Sequence, residues 1–207
     1  MLKERLIALA GPLTIVVGAM WLLTAPGHLA FQTGLVSDEE LLGIVSIPFF
    51  LSFIPLLFAM IGTRLRFHPS AGGLGRLGLA LSVAGGAGVI GAVLLSIVLG
   101  AAAPEAAQGM WVNYAAVICV LSIRLGYILF GVDALRLRLL PRWNVLPLLV
   151  GLTVVLSLPM YWFGVPAFLP QQWANAFLHF GLTGVGWVLL GIALMDPRRE
   201  PQPTAAI

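Results

Sequence analysis

Long apolar runs, separated by short charged connectors, set the plan of this chain. No Asp, Glu, Lys or Arg occurs between Glu40 and Arg64, between Arg76 and Glu105, or between Arg142 and Asp196. An apolar helix of about 20 residues crosses a bilayer hydrocarbon core of about 30 Å. The pattern predicts an all-α, polytopic six-helix bundle with spans at about 6–24, 41–62, 77–101, 112–133, 145–164 and 173–195. The last uncharged stretch is too long for one crossing. Gly164–Gln172, with two prolines and two amides, divides it. Ser37-Asp38-Glu39-Glu40 reads as a capping box that starts the second span. Residues 1–195 form one transmembrane domain, and 196–207 form a short, Pro-rich, disordered cytoplasmic tail.

Composition agrees with lipid as the solvent. The chain has 207 residues, 60% hydrophobic and 9% charged, against roughly 25% charged in soluble domains. A soluble fold of this size has too little interior to hide that much apolar surface. The net charge of +3 does not point to nucleic acid, because the basic residues lie in connectors between apolar runs. Lys3, Arg5, Arg64, Arg66, Arg76, Arg136, Arg138, Arg142, Arg198 and Arg199 all fall on one side of a six-span arrangement. Asp38, Glu39, Glu40 and Glu105 fall on the other. By the positive-inside rule the basic side, with both termini, is cytoplasmic. Trp21, Trp111, Tyr161, Trp162 and Trp173 are expected at the outer span ends, with Phe67 and Trp143 at the inner ends. The first apolar stretch is long and no clean A-x-A site follows it, so it reads as a retained span and not as a cleaved leader. Cys119 lies within a span, so neither an internal disulfide nor a cysteine metal site is expected.

Lipid supplies little hydrophobic drive between helices, so small residues must let backbones approach. On the third span Ala80, Ala84, Gly88 and Ala92 form one small-residue row, and Gly78, Ser82 and Gly86 form another. This span is expected at the bundle centre or at a homo- or hetero-oligomer face. Pro48, Pro55 and Pro159 are expected to kink their helices.

Arg124 is the one charge inside a span. A charge at the centre of a spanning helix costs at least about 2.5 kcal/mol on insertion scales. Helical side chains lean toward the N-terminus, which here opposes snorkelling to the nearer, cytoplasmic edge, so Arg124 is expected to face the bundle interior. At about 100° per residue, Asn113, Tyr127, Gly131 and Arg138 lie within about 60° of it, while Asp133 lies on the opposite face. On the sixth span Asn175, His179, Thr183, Gly186 and Ala193 share a face by the same step. Asn113, Arg124, Tyr127, Asn175, His179 and Thr183 are therefore the candidate ligand-binding residues, lining a pocket open to the outside. The competing reading is an internal hydrogen-bond network, which ranks first, with catalysis through His179 last.

His28, placed in the connector after the first span, and His179 are the only histidines on one side. They do not form a convincing bis-histidine haem pair. No cofactor, metal site or catalytic residue is expected. The H-E-x-x-H, Walker, dinucleotide and nucleophile-elbow motifs are absent. Gly72-Gly73-Leu74-Gly75 lacks the Lys-Ser/Thr ending of a phosphate loop and reads as a flexible connector. The segments Leu125–Gly131, Leu135–Trp143 and Pro147–Gly151 together resemble a stretch recurring in uncharacterised bacterial multi-span membrane proteins. In that stretch a span ends on an L-F-G…A-L…R pattern and a P-R-W turn opens the next. The resemblance implies a bacterial inner-membrane location and brings no activity with it. The sequence thus reads as a small integral inner-membrane protein, non-catalytic, acting as a binding, accessory or assembly subunit. The alternatives are a transporter or anion/lipid-headgroup binder centred on Arg124, and a membrane enzyme using His179.

Overall fold

The computed structural model describes residues 1–35, 46–102, 110–140, 142–153 and 175–196, mostly helical, with no strand among them. Among the described residues six helices follow in order. α1 is Leu2–Gln32, α2 is Phe53–Phe67 with a helical lead-in over 46–51, and α3 is Gly73–Ala102. α4 is Met110–Leu137, α5 covers 146–153, and α6 is Thr183–Met195, entered from a π-helix at Asn175–Leu182. Four helices are long and apolar enough to cross a membrane: Leu2–Phe31, Ser46–Phe67, Gly73–Gly100 and Tyr114–Leu137. A shorter apolar helix covers His179–Met195. The capping box at Ser37–Glu40, Glu105, Pro159, the break at Gly164–Gln172, Tyr161, Trp162, Trp173, Arg198 and Arg199 lie outside the described residues.

α1 runs well past its expected end at residue 24, straight through Pro26. A proline removes one hydrogen bond from the ladder, but the remaining backbone groups of this apolar stretch stay paired only if the helix continues. This extension corrects two placements. Trp21 is not at a membrane-facing end; it sits mid-helix at 1% exposure. His28 belongs to α1 and not to a connector. In α2 the regular helix is interrupted at Ser52, between Pro48 and Pro55. There the Ser52 N–H is shared between the carbonyls of Pro48 and Phe49, at 3.0 and 3.2 Å. Pro55 then falls in the first turn of α2, where its missing N–H costs nothing.

Glycines set how the helices meet. A Cβ built on Gly18 would lie 2.5 Å from the Gly184 carbonyl oxygen, and one on Gly191 would lie 2.7 Å from that of Gly11. Gly11 and Gly18 on α1 thus face Gly191 and Gly184 on α6 in antiparallel register. α3 and α4 repeat the device: a Cβ on Gly85 would lie 2.6 Å from the Cys119 carbonyl oxygen, and Gly78 abuts Gly126. Gly62 of α2 lies against Leu6 and Ala10 of α1, Gly86 of α3 against Met60 of α2, Gly151 of α5 against Arg124 and Ile128, and Gly186 of α6 against Val150. Each helix therefore packs antiparallel on its neighbours in sequence, and α6 closes on α1 to complete a ring. The two small-residue rows of α3 divide between partners. Gly78 and Ser82 face α4, Gly86 faces α2, Gly88 abuts the Cys119 thiol, Ala92 is buried and Ala84 is exposed.

Several hydroxyls in this apolar interior satisfy themselves on their own helices. Thr14, Thr24, Thr63 and Ser82 each donate to the carbonyl four residues back, at 2.6, 2.9, 2.8 and 3.0 Å. The Gly72–Gly75 stretch is more than a connector. The Gly72 N–H donates to the Asp133 carboxylate at 2.6 Å, and any Cβ at Gly72 or Gly75 would run into that carboxylate. Asp133, pointing away from Arg124, caps the N-terminus of α3 from α4, where a carboxylate is favoured by the helix dipole.

Gly18→Ala is expected to lower stability by about 1–3 kcal/mol, because a methyl group there meets backbone. Gly91→Ala, where a Cβ meets nothing within 4 Å, is expected to be neutral or slightly stabilising. Thermal unfolding of both variants in the same detergent checks the contrast.

Candidate functional site

Arg124 projects from the middle of α4 into the ring and is 3% exposed. Its Nη1 donates to the Val150 carbonyl at 2.9 Å and to the Thr153 hydroxyl at 3.3 Å, both on α5. Thr153 in turn donates to Val150 O at 2.8 Å, and Thr183 of α6 donates to Thr153 at 3.1 Å. The guanidinium also lies over two indoles, 5.2 Å from the Trp21 ring centroid and 5.7 Å from that of Trp187. Among the described residues Arg124 has no carboxylate partner. The charge is met by carbonyl and hydroxyl dipoles and by two ring faces, each desolvated cation–π contact contributing up to about 2 kcal/mol.

The aromatic shell carries this arrangement outward. Tyr127, one turn beyond Arg124 on α4, meets Trp187 edge-to-face at 4.9 Å. Trp21 donates its indole N–H to the Ser52 hydroxyl at 3.0 Å, and Ser52 donates to Phe49 O at 2.6 Å. The same hydrogen bond that ties α1 to α2 therefore sits at the break in the helix before α2. The Trp187 N–H is buried with no hydrogen-bond partner among the described residues.

Arg124, Tyr127 and Thr183 are thus brought together and buried. His179 is nearby and half-buried, its ring 5.7 Å from Trp21 and 4.9 Å from Phe180. It sits in the π-helical stretch, whose i→i+5 bonding turns the chain by less than the α-helical step, so the evenly spaced stripe expected from Asn175 to Thr183 is skewed. His28 stacks on Phe180 at 4.6 Å, so the two histidine rings rest on one phenyl ring. The side chains of Asn113, Asn175 and Trp111 lie outside those described. Among the described residues no group of three or more His, Cys, Asp or Glu side chains converges as a metal site would require.

Reasoning from sequence missed Trp21, Trp187 and the α5 acceptors Val150 and Thr153. A cation inside an apolar bundle needs aromatic faces and spare hydroxyls near it, so the tryptophans that fall mid-span were the available signal. No protein-family model matches this chain, and no similar curated protein or solved structure was found.

Replacing Arg124 with Met is expected to lower stability by about 2 kcal/mol, the scale of one charge-assisted hydrogen bond. Arg124→Lys should recover only part of that loss, since an ammonium cannot spread between two indoles as a planar guanidinium does. Detergent melting curves of the two variants read the difference.

Proposed function

We propose that this protein is a six-span bacterial inner-membrane protein with both termini in the cytoplasm, serving as a non-catalytic binding, accessory or assembly subunit. The observation that carries the reading is the enclosure of Arg124. A charge held by carbonyl, hydroxyl and indole groups from three neighbouring helices has its needs met within the bundle, as an internal fastening requires. The crossing number is supported by the closed ring, in which α5 and α6 complete a circuit that four helices alone would leave open. Orientation is supported by the antiparallel packing. The ends carrying Lys3 and Arg5, Arg64 and Arg66, Arg76, and Arg136 to Arg142 all lie at the end of the bundle where Gly11 meets Met195. An oligomer built on the small-residue face of α3 would use Ala80 and Ala84, since Gly88 and Ala92 are engaged within the chain.

A second reading, an anion or lipid-headgroup binder or transporter centred on Arg124, is favoured by one observation. The Trp187 N–H beside the guanidinium is buried without a partner among the described residues, and buried donors are rarely left unpaired. Catalysis through His179 has His28, resting on the same phenyl ring, as an ionisable neighbour, and no contact among the described residues supplies a nucleophile.

Two measurements test these readings. A single cysteine at position 68 or 138, in a Cys119→Ser background, should react with a membrane-impermeant maleimide only after the inner membrane is opened. Reaction in intact spheroplasts overturns the orientation. Thermal-shift screening of wild type and Arg124→Met against small carboxylates, phosphate and sulfate should show no stabilisation specific to wild type. Selective stabilisation of wild type would favour the anion-binding reading instead.

A further inference from the structure

At the cationic end of the bundle a cavity of about 320 Å³ opens between α2 and α3, lined by Ile61, Arg64, Leu65, His68 and Val83. We propose that this groove binds one anionic phospholipid of the cytoplasmic leaflet. The phosphate is held by Arg64 with His68, and an acyl chain lies along Ile61, Leu65 and Val83. The proposal rests on the membrane orientation given above.

The groove matches such a lipid in its charge and in the apolar track beside it. Arg64 and His68 stand one turn apart at the end of α2, at headgroup level. Val83, ten residues into α3, faces them across the groove at about the level of Arg64, since Gly86 one turn further along packs on Met60 and Leu57 of α2. Ile61 and Leu65 of α2 and Val83 of α3 give the groove an aliphatic wall beside these two polar groups. On α2 the stripe continues inward through Phe58 and Ile54, which are 46% and 49% exposed, giving an acyl chain a continuous apolar track. Basic pockets between helices on the cytoplasmic side are a recurrent way to hold anionic headgroups.

The cations nearby are otherwise occupied, and Arg64 is not. Arg66 points to the opposite side of α2, where it donates to the Leu194 carbonyl and lies over Phe67. Arg76 donates to the Ala71 carbonyl at 2.9 Å, and Asp133 is taken up by the N-terminus of α3. Arg64 is half-buried in the groove wall, and its side chain has no partner among the described residues. A cation held against an apolar wall without a counter-charge is complementary to a phosphate arriving from the bilayer plane.

The test is native mass spectrometry of the full-length protein released from micelles containing phosphatidylglycerol and phosphatidylcholine with matched acyl chains. Wild type is expected to retain one phosphatidylglycerol in preference to phosphatidylcholine. Arg64→Gln should weaken that retention about fivefold, the size expected for one arginine at a charged bilayer surface, whereas Arg136→Gln, an exposed cation at the same end, should leave it unchanged. Val83→Trp, which fills the groove and leaves Arg64 in place, should also displace the lipid. Equal retention of both lipids, equal losses in Arg64→Gln and Arg136→Gln, an ineffective Val83→Trp, or a second copy of the chain in place of lipid would each overturn the proposal. If the position-68 cysteine reacts from outside, the orientation has failed. If it reacts only from inside while Arg64→Gln is silent, the lipid site alone has failed.

Discussion

A guanidinium inside an apolar bundle must be neutralised, solvated or expelled, and the core of this protein is arranged around that demand. Arg124 is too far from either end of α4 to reach water cheaply, and its solvent is built from neighbouring helices. α5 supplies the Val150 carbonyl and the Thr153 hydroxyl, and α1 and α6 supply the faces of Trp21 and Trp187. Because these acceptors sit on three different elements, the position of each is tied to a single charge on a fourth. Trp21 passes the constraint to the segment before α2 through its bond to Ser52. A polar group that is costly if left alone becomes specific when all its partners must be present together.

Around that centre, the ring closes through backbone contact more than through side-chain bulk. The α1–α6 and α3–α4 seams each place glycines seven residues apart against a facing carbonyl or peptide nitrogen. Such seams bring helix axes close and gain dispersion over a long surface. The tryptophans and phenylalanines fill the wider middle. At the cationic end the polar work is done by side chains near the helix ends: Asp133 of α4 caps α3, and Arg66 of α2 reaches the Leu194 carbonyl at the end of α6. The centre fixes which helices meet, and the seams fix how closely.

Much of this architecture was legible in the sequence, for reasons that differ by element. Charge-free runs are dictated by solvent, so the four long apolar helices could be read without any structure. Arg124 was legible as an inward-facing residue because its cost in lipid leaves few alternatives. The end of α1 was not legible, because Pro26 and His28 look like a connector and only the apolar surroundings keep the helix going. Trp21 was misplaced for the same reason: its distance from the expected end put it in an aromatic belt, while its true partners are long-range. The role of Gly72–Gly75 was hidden as well, since nothing local shows that Asp133, some sixty residues on, occupies the space those glycines leave. Reciprocal glycines seven apart on α1 and α6 were visible in the sequence and would have paired the first helix with the last.

The claim that Arg124 and its indole cage fasten the bundle is tested most directly by a double-mutant cycle between Arg124→Met and Trp21→Leu, read as unfolding free energy in one detergent. The account predicts that the two losses fall short of adding, with a coupling of about 1 kcal/mol or more, the scale of a desolvated cation–π contact. Strict additivity would contradict it, because the two residues would then stabilise the bundle independently and the charge would not be what holds α1 in place.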